Sequence, residues 1–233
     1  MKKVLLLTLL LFGLGIQMSA QQRVPGEVPP PVLSDYFTPS TAAPIGPNAK
    51  GFVQRWTLLE PIGKPGLNSN AAFNDSYLRN EFSKIYFKDQ MTIVPKDGQV
   101  VTLADKTKLK WHCFDSKLYN VKLYRFASGL GLNPTEGVFM AVTVINVDKD
   151  VTVRMAVGSN SGSIWWVNGE EAILLSNDRR MVVDDCVSPK LTLHKGKNIV
   201  RGTLINGPGM SDFCIRFYDE NGNIFRDFTI TNQ

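Results

Sequence analysis

Histidine and cysteine are scarce in this sequence of 233 residues. It has two histidines, His112 and His194, and three cysteines, Cys113, Cys186 and Cys214. These residues do not form the spacing that is typical of a zinc site, so we predict no metal centre built from them. Because the number of cysteines is odd, at least one thiol is free or pairs with another chain. Cys186 and Cys214 could form a disulfide bond, whereas Cys113 alternates with polar residues on a predicted strand and is expected to be buried.

The sequence also lacks the common motifs of an acyl hydrolase. It contains no G-x-S-x-G element and no Gly-Asp-Ser block. Residues 158–163 hold three serines, but they connect two predicted strands instead of forming the strand-to-helix turn that exposes a nucleophile. A Ser-His pair would have to use His112 or His194, and we expect both on the surface. We therefore predict no catalytic residue.

A strong excess of one charge is absent, and so is a long apolar run in the body of the chain. The formal net charge is +5 with lysine and arginine scattered singly, which argues against a nucleic-acid partner. Residues 4–16 are apolar, follow Lys2 and Lys3, and precede small residues at 19 and 20. This pattern is typical of a secretory signal peptide over residues 1–20. We expect a secreted or periplasmic protein with no membrane span after signal removal; an uncleaved anchor is the alternative.

Proline is concentrated in one segment. Residues 21–50 contain seven of the 13 prolines. Proline fixes φ and removes a backbone donor, so this segment is predicted to be an extended linker or an arm lying on the domain. Tyr36 and Phe37 are candidates for docking such an arm. The folded domain is predicted to cover residues 51–233.

Within residues 51–233, the hydrophobic pattern has mostly a period of two. Short apolar-polar alternations recur about every 8–12 residues, separated by turn signals such as Asn168-Gly169 and Asn221-Gly222. Residues 138–145 are apolar on both faces, which is typical of a central strand. Residues 75–82 are the one plausible short helix, whereas residues 92–94 and 122–126 continue the strand pattern. The predicted fold is all-β, an antiparallel β-sandwich.

Two motifs of the second half carry a resemblance to a known fold. Residues 166–169 read Trp-Val-Asn-Gly, and residues 191–198 read Leu-x-Leu-x-x-Gly-x-Asn. Their order and spacing resemble the galactose-binding-like jelly roll of carbohydrate-binding modules, over residues 135–230. The whole chain also resembles secreted bacterial proteins labelled acetyl xylan esterase, through phrases such as NGEEAILLS and INGPGMSDF. The resemblance implies a jelly-roll sandwich that acts on or binds plant polysaccharide.

Two adjacent tryptophans precede the Asn-Gly turn. Neighbouring residues of a strand point to opposite faces, so the side chains of Trp165 and Trp166 must lie on opposite faces of the sheet. Trp166 lies on the face of Ile164, which favours its burial and leaves Trp165 as an exposed platform for a sugar ring. The alternative is that Trp165 is covered by the proline-rich arm or by residues 51–134. Asn160 and Asn206 are the predicted hydrogen-bonding neighbours of this platform.

The remaining candidate groups are charged. Arg179 and Asp184 are predicted either to bond sugar hydroxyls at the rim of the site or to belong to a salt-linked loop. The resemblance to jelly-roll sugar modules allows a structural calcium ion, held by Asp148 and Asp150 or by Asp184 and Asp185; the alternative is that these are turns without metal, in which Asp-x-Asp is also common. No other cofactor is predicted.

These observations support three functional hypotheses. The leading one is a secreted, non-catalytic carbohydrate-binding or accessory protein in polysaccharide utilisation, with a polysaccharide or oligosaccharide as its partner. The second is a carbohydrate esterase that removes acetyl groups from plant polysaccharide. The third is a structural subunit of an envelope complex, whose exposed aromatic residue contacts another envelope protein.

Overall fold

The computed structural model describes residues 32–232. The predicted signal peptide and the first part of the proline-rich segment lie outside these residues. Among the described residues no helix is long and apolar enough to cross a membrane.

Strands dominate the described part of the chain. The helices are α1 Leu33–Tyr36, α2 Asp75–Phe82 and α3 Leu123–Gly129. The strands of the first half are β1 Phe37–Pro39, β2 Arg55–Leu59, β3 Ile62–Gly63, β4 Val100–Thr102, β5 Lys108–Ser116, β6 Val121–Lys122 and β7 Gly137–Val147. Those of the second half are β8 Val151–Ser159, β9 Gly162–Val167, β10 Glu170–Leu175, β11 Cys186–Val187, β12 Leu191–Leu193, β13 Gly196–Asn206, β14 Asp212–Tyr218, β15 Ile224–Phe225 and β16 Thr229–Thr231.

The strands form two antiparallel sheets. The large sheet has the order β1-β5-β2-β7-β13-β9-β10, with β16 and β3 also paired to β7 and β4 paired to β5. The small sheet has the order β11-β8-β14-β15, with β12 on β8 and β6 on β14. The predicted all-β antiparallel sandwich is confirmed, because the inner faces of these two sheets pack against each other.

The main core lies between the two sheets. The large sheet contributes every second residue of β13 and β9, and the small sheet does the same from β8 and β14. The inward side chains include Val200, Leu204 and Trp165 from the large sheet and Met155 and Phe213 from the small sheet.

A second apolar cluster covers the outer face of the large sheet. We call it the outer core; it joins Val138, Met140 and Val142 of β7 to residues 59–111, including Phe82 of α2 and Trp111 of β5. This cover explains why residues 138–145 are apolar on both faces, as predicted for a central strand.

Helix α2 forms where it was predicted. Asn74 is its N-cap, and the Asn74 side chain accepts a hydrogen bond from the Tyr77 amide. Leu78 and Phe82 recur at helical spacing and are buried in the outer core. The helix therefore forms part of the cover over the large sheet.

Two strand predictions were wrong. Residues 122–126 belong mostly to helix α3, because Leu123, Phe126 and Ala127 have the i, i+3, i+4 spacing that buries one side of a helix. Residues 92–94 form no strand; the carbonyl of Asp89 accepts hydrogen bonds from the amides of Thr92 and Ile93, which makes a turn there.

The described part of the proline-rich segment lies on the domain. Residues 37–39 form the edge strand β1 beside β5, and Phe37 is buried against Phe114 and Phe126. Ile45 bridges Ile230. Regular structure thus begins before Gly51.

A buried ion pair fastens the arm to the sheet. The Arg55 guanidinium, 1% exposed, donates from Nε and Nη2 to Asp115 and from Nη1 to the carbonyl of Ala43. Asp115 also accepts a hydrogen bond from Ser40.

The cysteines are all free thiols. Cys186 lies opposite Val157 and packs on the main core, whereas Cys214 lies between the inward-facing Phe213 and Ile215 and therefore points to the outer face of the small sheet. Because the two side chains are on opposite faces of the sheet, they cannot form the disulfide bond that the sequence allowed.

Candidate functional site

The sequence-predicted platform, Trp165, is not exposed. Its ring is 0% exposed and packs in the main core against Trp56 and Phe213, with centroid distances of 5.9 and 4.9 Å. Its indole Nε1 donates to Ser163 Oγ. The prediction that Trp165 forms a sugar platform was therefore wrong.

The alternation argument holds, and Ile164 and Trp166 are buried as expected; the part that was wrong is the expected exposure of Trp165. Trp165 and Trp166 do point to opposite faces of β9. The face of Trp165 is the one between the sheets, and the face of Trp166 is the one covered by the outer core. Trp166 is 9% exposed and borders a cleft, so it is the tryptophan that lies next to solvent.

Asn160 and Asn206 lie at one end of the sandwich, not beside a platform. Asn160 accepts a hydrogen bond from the Asp212 amide, and Asn206, 1% exposed, donates to the carbonyls of Gly207 and Gly209. Burial raises the pKa of the Asp212 carboxyl, against the lowering influence of Lys122. These contacts hold the loop after β13 in place.

Arg179 and Asp184 belong to a salt-linked loop, which was the alternative interpretation. Arg179 pairs with Asp185, and Asp184 pairs with Arg216 and accepts from the Tyr218 hydroxyl at 2.6 Å. A calcium ion would have to displace an arginine from each carboxylate, so the donor set at Asp184 and Asp185 does not fit one.

Of the other predicted calcium ligands, Asp150 is already engaged. Asp150 accepts from the Lys195 amide and lies 3.4 Å from His194 Nδ1. In residues 32–232 no group of three or more acidic, histidine or cysteine side chains forms a metal-binding cluster.

Neither histidine contacts a serine in the described structure. His112 Nε2 is 3.0 Å from Glu60 Oε1, and its ring stacks on Phe114. The serines of residues 158–163 are buried, and Ser161 Oγ lies 2.7 Å from Ser211 Oγ. The geometry of a nucleophile-base pair is thus not formed there.

A groove crosses the outer face of the large sheet beside Trp166. Residues of four neighbouring strands stand in one row here: Val142 of β7 faces Arg201 of β13, Arg201 faces Trp166 of β9, and Trp166 faces Glu171 of β10. Three such strand spacings extend over about 14 Å. Arg201, Trp166 and Glu171 of this row line one side of a groove, and α2 and residues 83–96 line the other side.

We call this space the outer groove. It consists of three adjoining depressions of about 280, 340 and 210 Å³, in which the first and second share Met91 and the second and third share Ile199. Its principal lining residues are Arg79, Met91, Lys96, Trp166, Glu171, Lys197, Ile199 and Arg201.

The first depression combines an aromatic floor with a polar rim. Trp166, Ile164 and Met91 line it, and the exposed Ile85 stands at its edge. On the rim Arg79 forms two hydrogen bonds to Glu171, at 2.9 and 3.0 Å. The hydrogen bond to Glu171 raises the pKa of Arg79, so the guanidinium stays charged. Apolar lining with a few fixed polar groups is typical of small-ligand sites.

The second depression contains a buried cation. Arg201 is 5% exposed, and its Nη2 donates to the carbonyl of Ile93. Desolvation lowers the pKa of Arg201 to about 10, so the guanidinium remains protonated at neutral pH. Asn168, Gly169 and Thr92 complete this part of the groove.

Sequence reasoning placed none of the groove residues in a common site, since it assigned Trp166 to the core. One signal was present: Arg201 interrupts the apolar run IVRGTLI at a position that alternates with the buried Val200 and Gly202. A charged residue at such a position is rarely buried without a reason. No similar sequence feature predicts that Arg79 and Met91 line the groove, because they belong to a segment without strand periodicity.

Another cleft lies at the edge of the sandwich. It has a volume of about 340 Å³ and is lined by Glu170, Lys190, Thr192 and His194, among others. These four side chains are exposed, and Lys190 pairs with Glu220. The outer groove is the better candidate site, because it joins an aromatic floor to a buried, desolvated cation.

No family model and no curated protein matches the chain. Several solved structures resemble it. The PA14 domain of the antifreeze protein MpAFP covers 75% of this chain and 89% of its own, with a TM-score of 0.46 and 13% identity. The PA14 sugar-binding domain of an RTX adhesin covers 76% and 96%, with a TM-score of 0.41 and 12% identity. The β-glucosidase of Kluyveromyces marxianus covers 46% of this chain and 14% of its own, with a TM-score of 0.34 and 20% identity.

Proposed function

We propose that this chain is a secreted carbohydrate-binding protein that holds a saccharide reversibly in the outer groove. The observation that carries the proposal is the row formed by Arg201, Trp166 and Glu171 on the outer face of the large sheet. A saccharide has apolar C–H faces and polar hydroxyl edges, and this row offers an indole between two charged groups.

Each part of the groove would have its own role. Trp166 would pack against the C–H face of a sugar ring. Arg79 and Glu171, already fixed by their mutual hydrogen bonds, would bond hydroxyl groups at the rim with little loss of side-chain entropy. The groove crosses several strands, so it is long enough for more than one sugar unit.

The proposed function is saccharide binding without catalysis. In the described residues neither His112 nor His194 hydrogen bonds to a serine, so we do not extend it to ester hydrolysis. Secretion belongs to the proposal through the signal-peptide pattern of residues 1–20. Mass spectrometry of the protein recovered outside the cytoplasm would test this part, with a new N-terminus expected near residue 21.

Affinity gel electrophoresis in gels containing xylan, pectin or other plant polysaccharides tests the binding directly. We expect at least one polysaccharide to retard the protein. Arg79→Ala removes an exposed rim group, and Trp166→Phe shortens the aromatic floor while keeping it apolar, so both should weaken the retardation.

The matched control is Arg180→Ala, which removes an exposed arginine from the loop between β10 and β11. It should migrate like the unaltered protein. Normal migration of the unaltered protein in every gel, or equal retardation of all variants, would contradict the proposal.

A further inference from the structure

Arg201 is an unusual buried cation in this fold. Two arginines are buried in the described residues, Arg55 and Arg201. Arg55 has a carboxylate partner, because Asp115 accepts two of its hydrogen bonds, and the carbonyl of Ala43 accepts a third. Arg201 has no carboxylate partner and donates one hydrogen bond, to the carbonyl of Ile93. The two arginines are thus both buried, but only Arg55 has a carboxylate that neutralises its charge.

Burying an arginine is costly when only one of its five N–H donors has a hydrogen-bond acceptor. Arg201 lines the middle depression of the outer groove together with Thr92 and Asn168, so a ligand there can supply acceptors for its remaining donors. Replacing a buried charge by apolar residues of similar volume is often neutral or stabilising, so packing alone does not explain an arginine here, whereas a binding role does.

The charge of the groove is also unbalanced. Four cationic side chains line it: Arg79, Lys96, Lys197 and Arg201. The one carboxylate among the lining residues, Glu171, is already bound by Arg79. The groove therefore has an excess of positive charge on the side of Arg201, and this excess favours an anionic ligand.

We propose that the outer groove is selective for acidic saccharides, with Arg201 pairing with the carboxylate of a uronic-acid unit. This inference rests on the proposed carbohydrate-binding function and adds the ligand class. The planar guanidinium matches a carboxylate with two parallel hydrogen bonds. Because Trp166 stands next to Arg201 on the neighbouring strand, a ring packed on the indole could direct its carboxylate to the guanidinium. Lys96 and Lys197 would attract the next acidic units of the chain.

Isothermal titration calorimetry with oligogalacturonate and oligoglucuronate, each as the free acid and as the methyl ester, tests the proposal. Esterification removes the negative charge and leaves the sugar backbone unchanged. A charge-assisted hydrogen bond is worth about 1.5–3 kcal/mol, so we expect the ester of the preferred sugar to bind about tenfold or more weakly than the acid. We expect Arg201→Gln to bind acid and ester alike, at the strength of the ester on the unaltered protein.

Arg180→Gln, an arginine outside the groove, is the control and should keep the full preference for the acid. Arg201→Lys keeps the charge and loses the planar fork, so it should retain part of the preference. If Arg201→Gln does not fold, the comparison of acid and ester on the unaltered protein still decides whether the groove selects acidic saccharides, and Arg201→Lys tests the role of Arg201.

The outcomes separate the two proposals. Binding of neutral and acidic saccharides with equal strength would overturn the selectivity and leave the carbohydrate-binding function standing. Equal loss of affinity on esterification in the unaltered protein and in Arg201→Gln would overturn the assignment to Arg201. Absence of binding to any saccharide would overturn both.

Discussion

Arg201 and Trp166 lie opposite each other on the neighbouring strands β13 and β9, and both side chains face the outer surface of the large sheet. One is a buried cation without a carboxylate partner, and the other is a tryptophan that borders solvent. Neither residue is needed between the two sheets, where the main core is complete. Their pairing therefore points to the outer groove as the part of the molecule that serves binding.

Replacing Arg201 with methionine should cost little stability. The guanidinium has one hydrogen bond to lose and no ion pair, and replacing a buried charge by an apolar residue of similar size is often neutral or stabilising. Arg55→Met is the control, since it leaves Asp115 without its partner and should destabilise the fold by about 3–5 kcal/mol. Chemical denaturation measures both changes. An equal loss for the two variants would mean that Arg201 is as structural as Arg55.

Gly202 should not tolerate alanine. A Cβ atom at Gly202 would lie 2.2 Å from Cζ3 of Trp165, whose ring is fixed between Trp56 and Phe213. Overpacking of this kind costs about 1–3 kcal/mol, and the cost can be higher in a rigid core. Gly63→Ala is the matched control, because a Cβ there meets no atom within 4 Å. Thermal unfolding of both variants checks the prediction, and equal unfolding temperatures would show that Trp165 is not held as described.

Glu81 should make stability depend on pH in the acid range. Its burial alone would raise the pKa, but hydrogen bonds from Lys64, Lys84 and Tyr86 outweigh burial and hold the pKa below the ordinary value of 4.5. A lowered pKa in the folded state means that the carboxylate stabilises the protein above about pH 4.5, and that this contribution is lost as the pH falls through the folded-state pKa.

The difference in unfolding free energy between the unaltered protein and Glu81→Gln should thus be largest at neutral pH and should shrink in acid. Urea denaturation between neutral pH and about pH 3 measures this difference, a range set by the ordinary carboxyl pKa. A difference that stays constant over the whole range would refute the role of the ionised carboxylate. Lys190→Ala, which breaks an exposed ion pair, should show little effect at any pH.

The three thiols should remain reduced and react unequally. Burial raises the pKa of Cys113 and Cys186, and it raises the pKa of Cys214 to about 12. Because Cys186 is the one that is partly accessible, iodoacetamide should modify it first. The other two should react after unfolding. Peptide mass spectrometry reads out the order, and a peptide pair joined by a Cys186–Cys214 disulfide would contradict the placement of these residues on opposite faces.

Most of the fold could be predicted from the sequence, because strand periodicity is a local property. Residues 138–145 are an example. Because they are apolar on both faces, both faces must be packed against other parts of the chain, and this holds whichever residues those are. Leu123, Phe126 and Ala127 could have been recognised by their helical spacing, although the short apolar run around them also fits a strand. The predicted jelly-roll type stays a prediction.

The site was harder to predict, because exposure is a tertiary property. Alternation established that Trp165 and Trp166 face opposite ways, but it could not show that residues 73–91 lie over the face of Trp166. That segment has no strand pattern, and its position is fixed by contacts distant in sequence, such as the Arg79–Glu171 pair. The sequence thus predicted the opposite orientations of the two rings and the burial of Trp166, but not the burial of Trp165.

The most direct test of this account is a chemical-shift map of the ¹⁵N-labelled protein titrated with xylan- and pectin-derived oligosaccharides. The account predicts that the shifts cluster along the outer groove, at the amides of Thr92, Trp166, Gly169 and Arg201. Shifts confined to the edge cleft around Lys190 and His194, or no shift with any oligosaccharide, would contradict it.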